Sequence, residues 1–340
     1  MMDQWIKEKI NLAEHERLTR EAIQSYQLKK LKETLDWARE HSRFYKTRLG
    51  GFQVETFSDF EKLPFTTVTD LRELGIQMLC VGQNEVSRIV TLDTSGTTGK
   101  PKRVYYTEED QELTIDFFNR GMENLVNKRD RVLILLPYER PGSVGDLLAK
   151  GLARLGASVV CYGLLPQGDD DLMKLLIYIK EWGITSMVGA ATQVARLALE
   201  SEKRGLTENR IATVLLSVEY VSKEMRETIS RAWNCQVFEH YGMTEMGLGG
   251  AVSCFSLEGY HPREADLYFE MINPETGAIV NPGEYGEVVF TTLTRKAMPF
   301  IRYRTGDVSR WLEKPCICGS PLKRLDRVGD RKMRKGGKYE

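Results

Sequence analysis

Between Arg131 and His240 the chain alternates β-rich and helical stretches without a break, and this order narrows the fold more than any other feature. The β-rich runs are RVLILLPY, ASVVCYG, TSMVGA, IATVLLS and CQVFEH, short and dense in branched apolar residues, as strands buried on both faces are. Between them lie helical patterns at about 143–155, 169–182, 192–204 and 222–233, with Ser143, Asp169, Thr192 and Ser222 as expected N-caps. A strand that reaches its neighbour through a helix runs parallel to it. The crossovers therefore require a mostly parallel sheet with helices on both faces. Ligands of such sheets bind in the loops at the carboxyl edge of the strands.

The flanks read differently. RIVTLDT and RVYYT are strand-like and enclose the Gly-rich piece SGTTGKPK, so that piece is a loop between two β segments, followed by a helix near 108–126. Upstream, LPFTTVTDLRE opens a helix at Thr69 or Asp70. Residues 3 to about 50 carry Ile23, Tyr26, Leu31, Leu35 and Ala38 at helical spacing and read as a packing arm. Beyond residue 245 the helices stop. DLYFEMINPETG, EYGEVVFTTL and FIRYRTGDVSRWL are strands between Pro, Gly and Asn turns, which predicts a small antiparallel sheet or barrel.

Charge limits the partners. The 340 residues hold 48 Lys+Arg and 48 Asp+Glu, a net charge of zero, which removes the long-range field that draws nucleic acid or an anionic membrane. Eight Lys/Arg crowd between Lys323 and Lys338, but Asp326 and Asp330 interrupt them and no aromatic residue is interleaved before Tyr339, so no nucleic-acid partner is expected. No apolar run approaches the roughly 20 residues of a membrane span. The first twenty residues are charged throughout, unlike a signal peptide, so the expected setting is cytoplasmic, with no membrane partner. Six cysteines are too few for a disulfide framework; Cys80, Cys161 and Cys235 sit in or beside apolar runs and read as buried thiols.

Three short motifs carry chemistry. SGTTGKPK, from Ser95 to Lys102, combines glycines that turn backbone N–H groups toward an anion, hydroxyl donors and two ammonium groups, all suited to phosphate. Its spacing is too short for a Walker loop and Pro101 follows Lys100. A hairpin tip has a similar composition. YGMTE, from Tyr241 to Glu245, follows the fifth strand, where a Thr and a Glu suit a phosphate oxygen and a magnesium ion; a turn with a solvated Glu looks the same. YRTGD ends a strand at Asp307, which can bond turn backbone or accept from ribose hydroxyls. Separately, Cys254, His261, Cys316 and Cys318 form a complete tetrahedral donor set for a structural zinc ion, although unrelated cysteines and a surface His give the same spacing.

In order, spacing and strand context these motifs resemble the adenylate-forming superfamily of acyl-CoA synthetases and adenylation domains. LPFTTVTDLRE, SVEY, EHYGMTEMG, DLYFEMINPETG, LTRKAMPFIRYRTGD and CICG further resemble its phenylacetate-CoA ligase branch, over about residues 30 to 335. The resemblance implies an α/β fold, the large N-terminal domain of the adenylate-forming fold, with doubly wound mostly parallel sheets and a small antiparallel β-rich subdomain. The expected division is 1–87 for the helical arm and first part of the α/β domain, 88–245 for the nucleotide-binding core, 246–325 for the β-rich subdomain, and 326–340 for a hinge and the start of a further domain.

The implied reaction has two steps, attack of a carboxylate on the α-phosphorus of Mg-ATP and displacement of AMP by a thiol such as CoA. By the same resemblance Ser95, Gly96, Thr97, Thr98, Gly99 and Lys100 would cradle the β- and γ-phosphates. Thr244 would contact the α-phosphate, Glu245 would hold magnesium, and Asp307 would bind the ribose. Glu219 and Tyr220 would line the adenine side, Tyr241 would pack against the adenine or the acyl group with Gly242 also at the nucleotide, and Arg327 would stand at the hinge. Thr244, Glu245, Lys100 and Arg327 are the catalytic expectations. Zinc-containing members of the branch resemble this chain at the Cys/His set. The acid, aryl or arylacetic, is expected between Gly189–Thr192, SVEY and the turn after PYERPG, where Ala190 and Ala191 leave room and Tyr138 caps; a homodimer is compatible with all of this. Relatives continue for roughly another hundred residues, a typical small-domain length, into a domain bearing a catalytic lysine. This sequence ends at Glu340 with Gly329 at the hinge position, so no such lysine is named. The rival reading is a nucleotide-binding regulatory or scaffold protein without turnover. Retention of Glu245 and Asp307 speaks against it, since binding alone tolerates loss of the magnesium carboxylate.

Overall fold

The structure, a computed structural model, describes residues 2–13, 15–92, 100–208 and 210–330 and the short strands Arg334–Lys335 and Lys338–Tyr339. Packing separates it into two units. The first holds 114–243 and 248–260, the second 2–113, 244–247 and the residues from His261 onward. Strands are numbered along the chain as β1 (Arg88–Leu92), β2 (Lys102–Tyr106), β3 (Arg131–Leu135), β4 (Ser158–Cys161), β5 (Ser186–Ala190), β6 (Thr213–Ser217), β7 (Gln236–Tyr241), β8 (Ala251–Val252), β9 (His261–Pro262), β10 (Leu267–Ile272), β11 (Gly286–Thr292), β12 (Tyr303–Ser309) and β13 (Gly329–Asp330).

In the first unit β3 to β7 form the expected parallel sheet, in the order β4-β3-β5-β6-β7, with β8 antiparallel to β7. The four crossovers are helices Val144–Leu155, Asp169–Glu181, Ala191–Lys203 and Lys223–Trp233. Their apolar faces bury Leu172, Leu175, Leu176, Val194, Leu197, Ile229 and Trp233 against Leu133, Met187, Val214 and Val237 of the strands. Burying each such side chain contributes about 1.5–3 kcal/mol, which is why the periodicity was informative. The chain leaves β3 for β4 on one side and returns to β5 on the other. This reversal of strand order opens a crevice at the carboxyl ends of β3 and β5, the place where open α/β sheets receive ligands.

Several helix boundaries differ from those the local sequence predicts. Ser222 caps as expected, accepting from the Met225 N–H, and Ser143 is an N-cap by backbone alone. Asp169 and Thr192 lie inside the first turns instead, after Gly168 and Ala190. The helix assigned to Thr69 or Asp70 starts at Val68, because Thr67 and Asp70 close a capping box with each other. The helix from Glu108 ends at Met122 rather than near 126.

The second unit pairs β1 with β2 antiparallel, Leu92 facing Lys102, and builds an open antiparallel sheet β10-β11-β12-β13 rather than a barrel. Helix Arg20–His41 buries Ile23, Leu31, Leu35 and Ala38 as its spacing implied, but Tyr26 is only half-buried. Gln27 takes the buried place, its side-chain amide donating to the Glu264 carbonyl at 2.9 Å. Thr34 and Tyr45 likewise donate to the carbonyls of Leu293 and Pro299, so the arm is built into this unit. Behind β12 the Arg302 guanidinium, 2% exposed, meets the Glu270 carboxylate at 2.7 Å and also donates to the carbonyls of Glu61 and Leu63. Removing either partner of such a buried pair typically costs about 3–5 kcal/mol, since the other charge is left uncompensated. Of the three thiols read as buried, Cys80 and Cys235 are, whereas Cys161 on the edge strand β4 is half-exposed.

Candidate nucleotide and acid site

Within the second unit the expected magnesium ligand is the best-defined group. Glu245 stands in a single 3-10 turn, Thr244–Met246, and is 1% exposed. Its Oε1 accepts from Lys102 Nζ at 2.6 Å and from the Tyr303 hydroxyl at 3.0 Å. The backbone around it is fastened too, Arg295 Nη1 donating to the Glu245 carbonyl at 2.6 Å and the Tyr106 hydroxyl to that of Thr244. The Arg295 guanidinium lies 4.2 Å from the Tyr106 ring centroid, a stacked cation that further rigidifies the turn. Burial, and then the Glu245 charge, push the Tyr303 hydroxyl well above the ordinary tyrosine range, so it stays a donor. A buried carboxylate with its cation is chemistry suited to polyphosphate and its metal, and a magnesium ion held by Glu245 would share that carboxylate with Lys102.

Lys100 lies apart from this knot and pairs with Glu73 at 2.7 Å, both well exposed. Asp307 is half-exposed on β12, opposite Asp330 of β13, and its N–H donates to Thr305 Oγ1 at 3.0 Å; Gly306 before it has φ +85°, a conformation glycine adopts without strain. Arg327 is half-exposed and its backbone N–H donates to the Asp326 carboxylate at 2.8 Å. The phosphate-cradle expectation for Ser95, Gly96, Thr97, Thr98 and Gly99 falls outside the described residues.

The adenine-side residues belong to the first unit. Tyr241 ends β7 and is buried, and Gly242 follows with no room for a Cβ, which would stand 2.4 Å from the Leu248 carbonyl oxygen. Tyr220 is exposed and Glu219 is already engaged, its Oε1 accepting from the Thr192 N–H at 2.8 Å and the Thr192 hydroxyl at 2.6 Å. The SVEY segment is thereby pinned to the first turn of helix Ala191–Lys203. Between these contacts Val218 has φ +78° and is exposed, a strained conformation for a β-branched residue, of a kind that clusters at ligand sites.

Of the residues expected to leave room for the acid, Ala190 ends β5 and is buried. Ala191 is sealed into the helix–sheet core. A cavity of about 30 Å³ opens at the carboxyl ends of β3, β5 and β6 and along β7, lined by apolar residues such as Leu136, Val188, Phe117 and Phe118 and by Ser217 and His240, whose Oγ and Nδ1 are 2.9 Å apart.

The Cys/His set divides between the units. His261, Cys316 and Cys318 of the second unit bring their ligand atoms within 4.8 Å of one another, and the edge of a zinc–thiolate tetrahedron is about 3.8 Å. His261 Nδ1 lies 3.2 Å from the Lys323 carbonyl, which can only accept, so the proton sits on Nδ1 and the lone pair on Nε2, 3.3 Å from Cys318 Sγ. A ring held this way is ready to ligate. Cys254 belongs to the first unit, shortly before His261 in the chain.

Tyr303, Arg295 and His240 were not singled out by sequence reasoning, Lys102 entered only as one of the two ammonium groups of SGTTGKPK, and Ser217 only as the first residue of SVEY. Lys102, Arg295 and Tyr303 stand inside the segments SGTTGKPK and LTRKAMPFIRYRTGD, but nothing local separates them from their neighbours.

Comparison with known proteins gives a consistent result. A family model described as AMP-binding enzyme matches residues 85–293. Phenylacetate-coenzyme A ligase of Escherichia coli (strain K12) is 30% identical over 322 residues, 91% of this chain and 71% of the relative. That of Pseudomonas putida is 28% identical over 323 residues, 92% and 71% of the two chains. A solved open conformation of 2-hydroxyisobutyryl-CoA ligase with 2-HIB-AMP and CoA superposes with TM-score 0.83 at 22% identity, covering 92% of this chain and 71% of that one, and so shares the fold. Among the described residues no helix is long and apolar enough to cross a membrane.

Proposed function

Because the chain belongs to the AMP-binding enzyme family, in its phenylacetate-CoA ligase branch, we infer that it activates a carboxylic acid with ATP and transfers the acyl group to the thiol of CoA. In the first step a carboxylate oxygen of the acid bonds to the α-phosphorus of Mg-ATP and the bond to pyrophosphate breaks. In the second the CoA sulfur bonds to the acyl carbon, the thiol proton is released and AMP leaves. Neither step needs a covalent protein intermediate, so positioning and charge neutralisation supply the catalysis.

The observation that carries this reading is the buried Glu245, fastened by Lys102, Tyr303 and Arg295, immediately after Thr244. Bound magnesium would neutralise phosphate charge during α-phosphorus attack. Glu245 would hold that ion, Lys102 would supply a second positive charge beside the phosphates, and Thr244 would donate its hydroxyl to the α-phosphate. Asp307 accepts from the ribose hydroxyls, and Lys100 exchanges Glu73 for the outer phosphates, together with Ser95 to Gly99. Glu219, Tyr220, Tyr241 and Gly242 form the adenine wall, and Arg327 stands at the hinge. The name shared by the relatives supports an aryl or arylacetic acid as substrate.

ATP–pyrophosphate exchange with a panel of carboxylic acids tests the reading. Acid-dependent exchange, lost in Glu245→Gln, is expected. A chain that binds AMP but exchanges with no acid would favour a nucleotide-binding regulatory role instead.

A structural zinc ion is part of the proposal, held by His261, Cys316, Cys318 and Cys254. Three thiolates and one imidazole close the coordination sphere, so the metal would tie segments together and leave no position for a reacting water. Cytoplasmic location and a homodimer fit this reading and would be read by fractionation and light scattering.

A further inference from the structure

The parallel sheet of the first unit ends at β4, and among the described residues nothing pairs with the outer side of that strand. The N–H groups of Ser158 and Tyr162 donate to the Asp130 and Ile134 carbonyls on the β3 side, each at 3.0 Å. Successive residues of a strand turn their backbone groups to alternate sides, so Val160 also faces β3 while Val159 and Cys161 face outward. Natural edges are blunted by Lys, Pro or a bulge, because outward N–H and C=O groups invite another strand. β4 has none of these: it reads SVVC, with its last three residues half-buried. We propose that β4 is the contact through which two copies of this chain dimerise, their β4 strands pairing antiparallel across a two-fold axis at Val160. This rests on the homodimer reading given above and gives it a surface; it does not depend on the acid-activating reading.

The register follows from the backbone, since outward groups must meet outward groups. With Val159 on the axis Ala157 would face Cys161, but the Ala157 N–H already donates to the Leu152 carbonyl at 3.2 Å. With Cys161 on the axis Gly163 would face Val159, and the Gly163 N–H is turned to the Ile134 carbonyl at 3.3 Å. Val160 on the axis sets Val159 of each copy against Cys161 of the other, and these two pairs close every outward bond of the strand. Such a short ladder needs support from the helix Asp169–Glu181. Arg131, opposite Ser158 in the sheet, donates from Nη1 to the Trp182 carbonyl at 2.6 Å, which sets the end of that helix level with Ser158. Two residues up the strand span about 6.6 Å and one helical turn back about 5.4 Å, so Tyr178 stands level with Val160. Both pack at the rim of one core. Met173, on the other flank of the helix, meets Arg204 at the end of helix Ala191–Lys203, which leaves the Tyr178 flank toward β4. There Tyr178 stacks on the exposed Trp182, ring centroids 4.7 Å apart, and aromatic residues are enriched in interface cores. Lys174 and Glu181 are exposed and lie about one turn to either side of Tyr178, so across the axis each meets the opposite charge. A surface that repeats its own charges with reversed order complements a second copy of itself.

Sedimentation equilibrium on the full chain tests the surface, with thermal melts to check that each variant folds. Val159→Pro removes one outward donor from each copy and none from the β3 ladder, so the dimer dissociation constant should rise about thirtyfold, two net hydrogen bonds. Lys174→Glu should also weaken the dimer, and adding Glu181→Lys should restore it. Mild oxidation gives a second readout. Twin residues on the axis have Cα atoms about 4.5 Å apart, within disulfide reach, so Val160→Cys in a Cys161→Ser background should link two chains. The wild type, whose Cys161 faces Val159 of the other copy, should not link. A chain that stays monomeric at every concentration would overturn this surface together with the homodimer reading. A dimer that both Val159→Pro and Lys174→Glu leave unchanged, and that Val160→Cys fails to link, would overturn the surface and leave the homodimer reading standing.

Discussion

At Val218 a β-branched side chain holds φ +78°, which costs about 1–2 kcal/mol in the left-handed region. Glycine there would lose that strain and add about 0.4–1 kcal/mol of unfolded-chain entropy. Val218→Gly should therefore raise stability by up to about 1 kcal/mol in urea denaturation and weaken nucleotide binding, because Ser217 and Glu219 lose their fixed spacing. Lower stability in the variant would show that the conformation is not strained. Roles on the nucleotide separate by ligand. Asp307→Ala should weaken AMP and ATP alike in calorimetry, ribose being common to both. Lys100→Ala should weaken ATP more, by about tenfold, because only ATP carries the outer phosphates. Its exposed pair with Glu73 is worth little, so its urea midpoint should stay unchanged. Equal losses for both nucleotides in both variants would refute the assignment.

At the scale of elements, the CICG turn and β9 belong to segments that the proposed zinc ion would join. His261 is already oriented by the Lys323 carbonyl, so the metal would meet a largely formed site in the second unit. Protein purified without a His tag should carry about one zinc per chain, falling sharply in Cys316→Ser together with a lower melting temperature. Metal content near zero in the wild type, or a variant that keeps its metal, would delete the site. The helices raise a different point at this scale. Their spans were legible because a buried face repeats every turn, while their first residues were not, since Thr67 and Thr69 are equally good caps until Asp70 is seen bonding back to one of them.

The molecule as a whole should respond to pH at both ends. Burial alone would raise the Asp266 pKa, but Arg263 and Lys9 overcome it and hold the carboxyl below the usual range. A depressed carboxylate contributes stability above its unfolded value of about 3.9, lost as pH falls through the folded value. Burial raises the Cys80 and Cys235 thiols to about 12 and about 11. Their contribution is complete below the unfolded value of about 8.5 and is lost as pH climbs toward the folded ones. These three groups should thus lower the melting temperature below about pH 4 and above about pH 8.5. A melt that stayed level to pH 2 would contradict the assigned partners of Asp266.

Short-range information in the chain settled the parallel sheet, its four crossovers and the antiparallel strands after residue 245, though not whether those strands close into a barrel, because side-chain period and turn residues act within a few positions of one another. It left Glu245 and Asp307 open between turn residues and ligand groups, and only the family resemblance gave them roles. What tertiary structure alone decided were pairings between distant segments. Lys102 reaches Glu245, Gln27 displaces Tyr26 from the interface with Glu264, Arg295 spans from Tyr105 to Glu245, and Ser217 meets His240 across two strands. None of these has a local signature. Each exists because a buried polar group must find a partner, and the fold determines which distant residue is within hydrogen-bond reach.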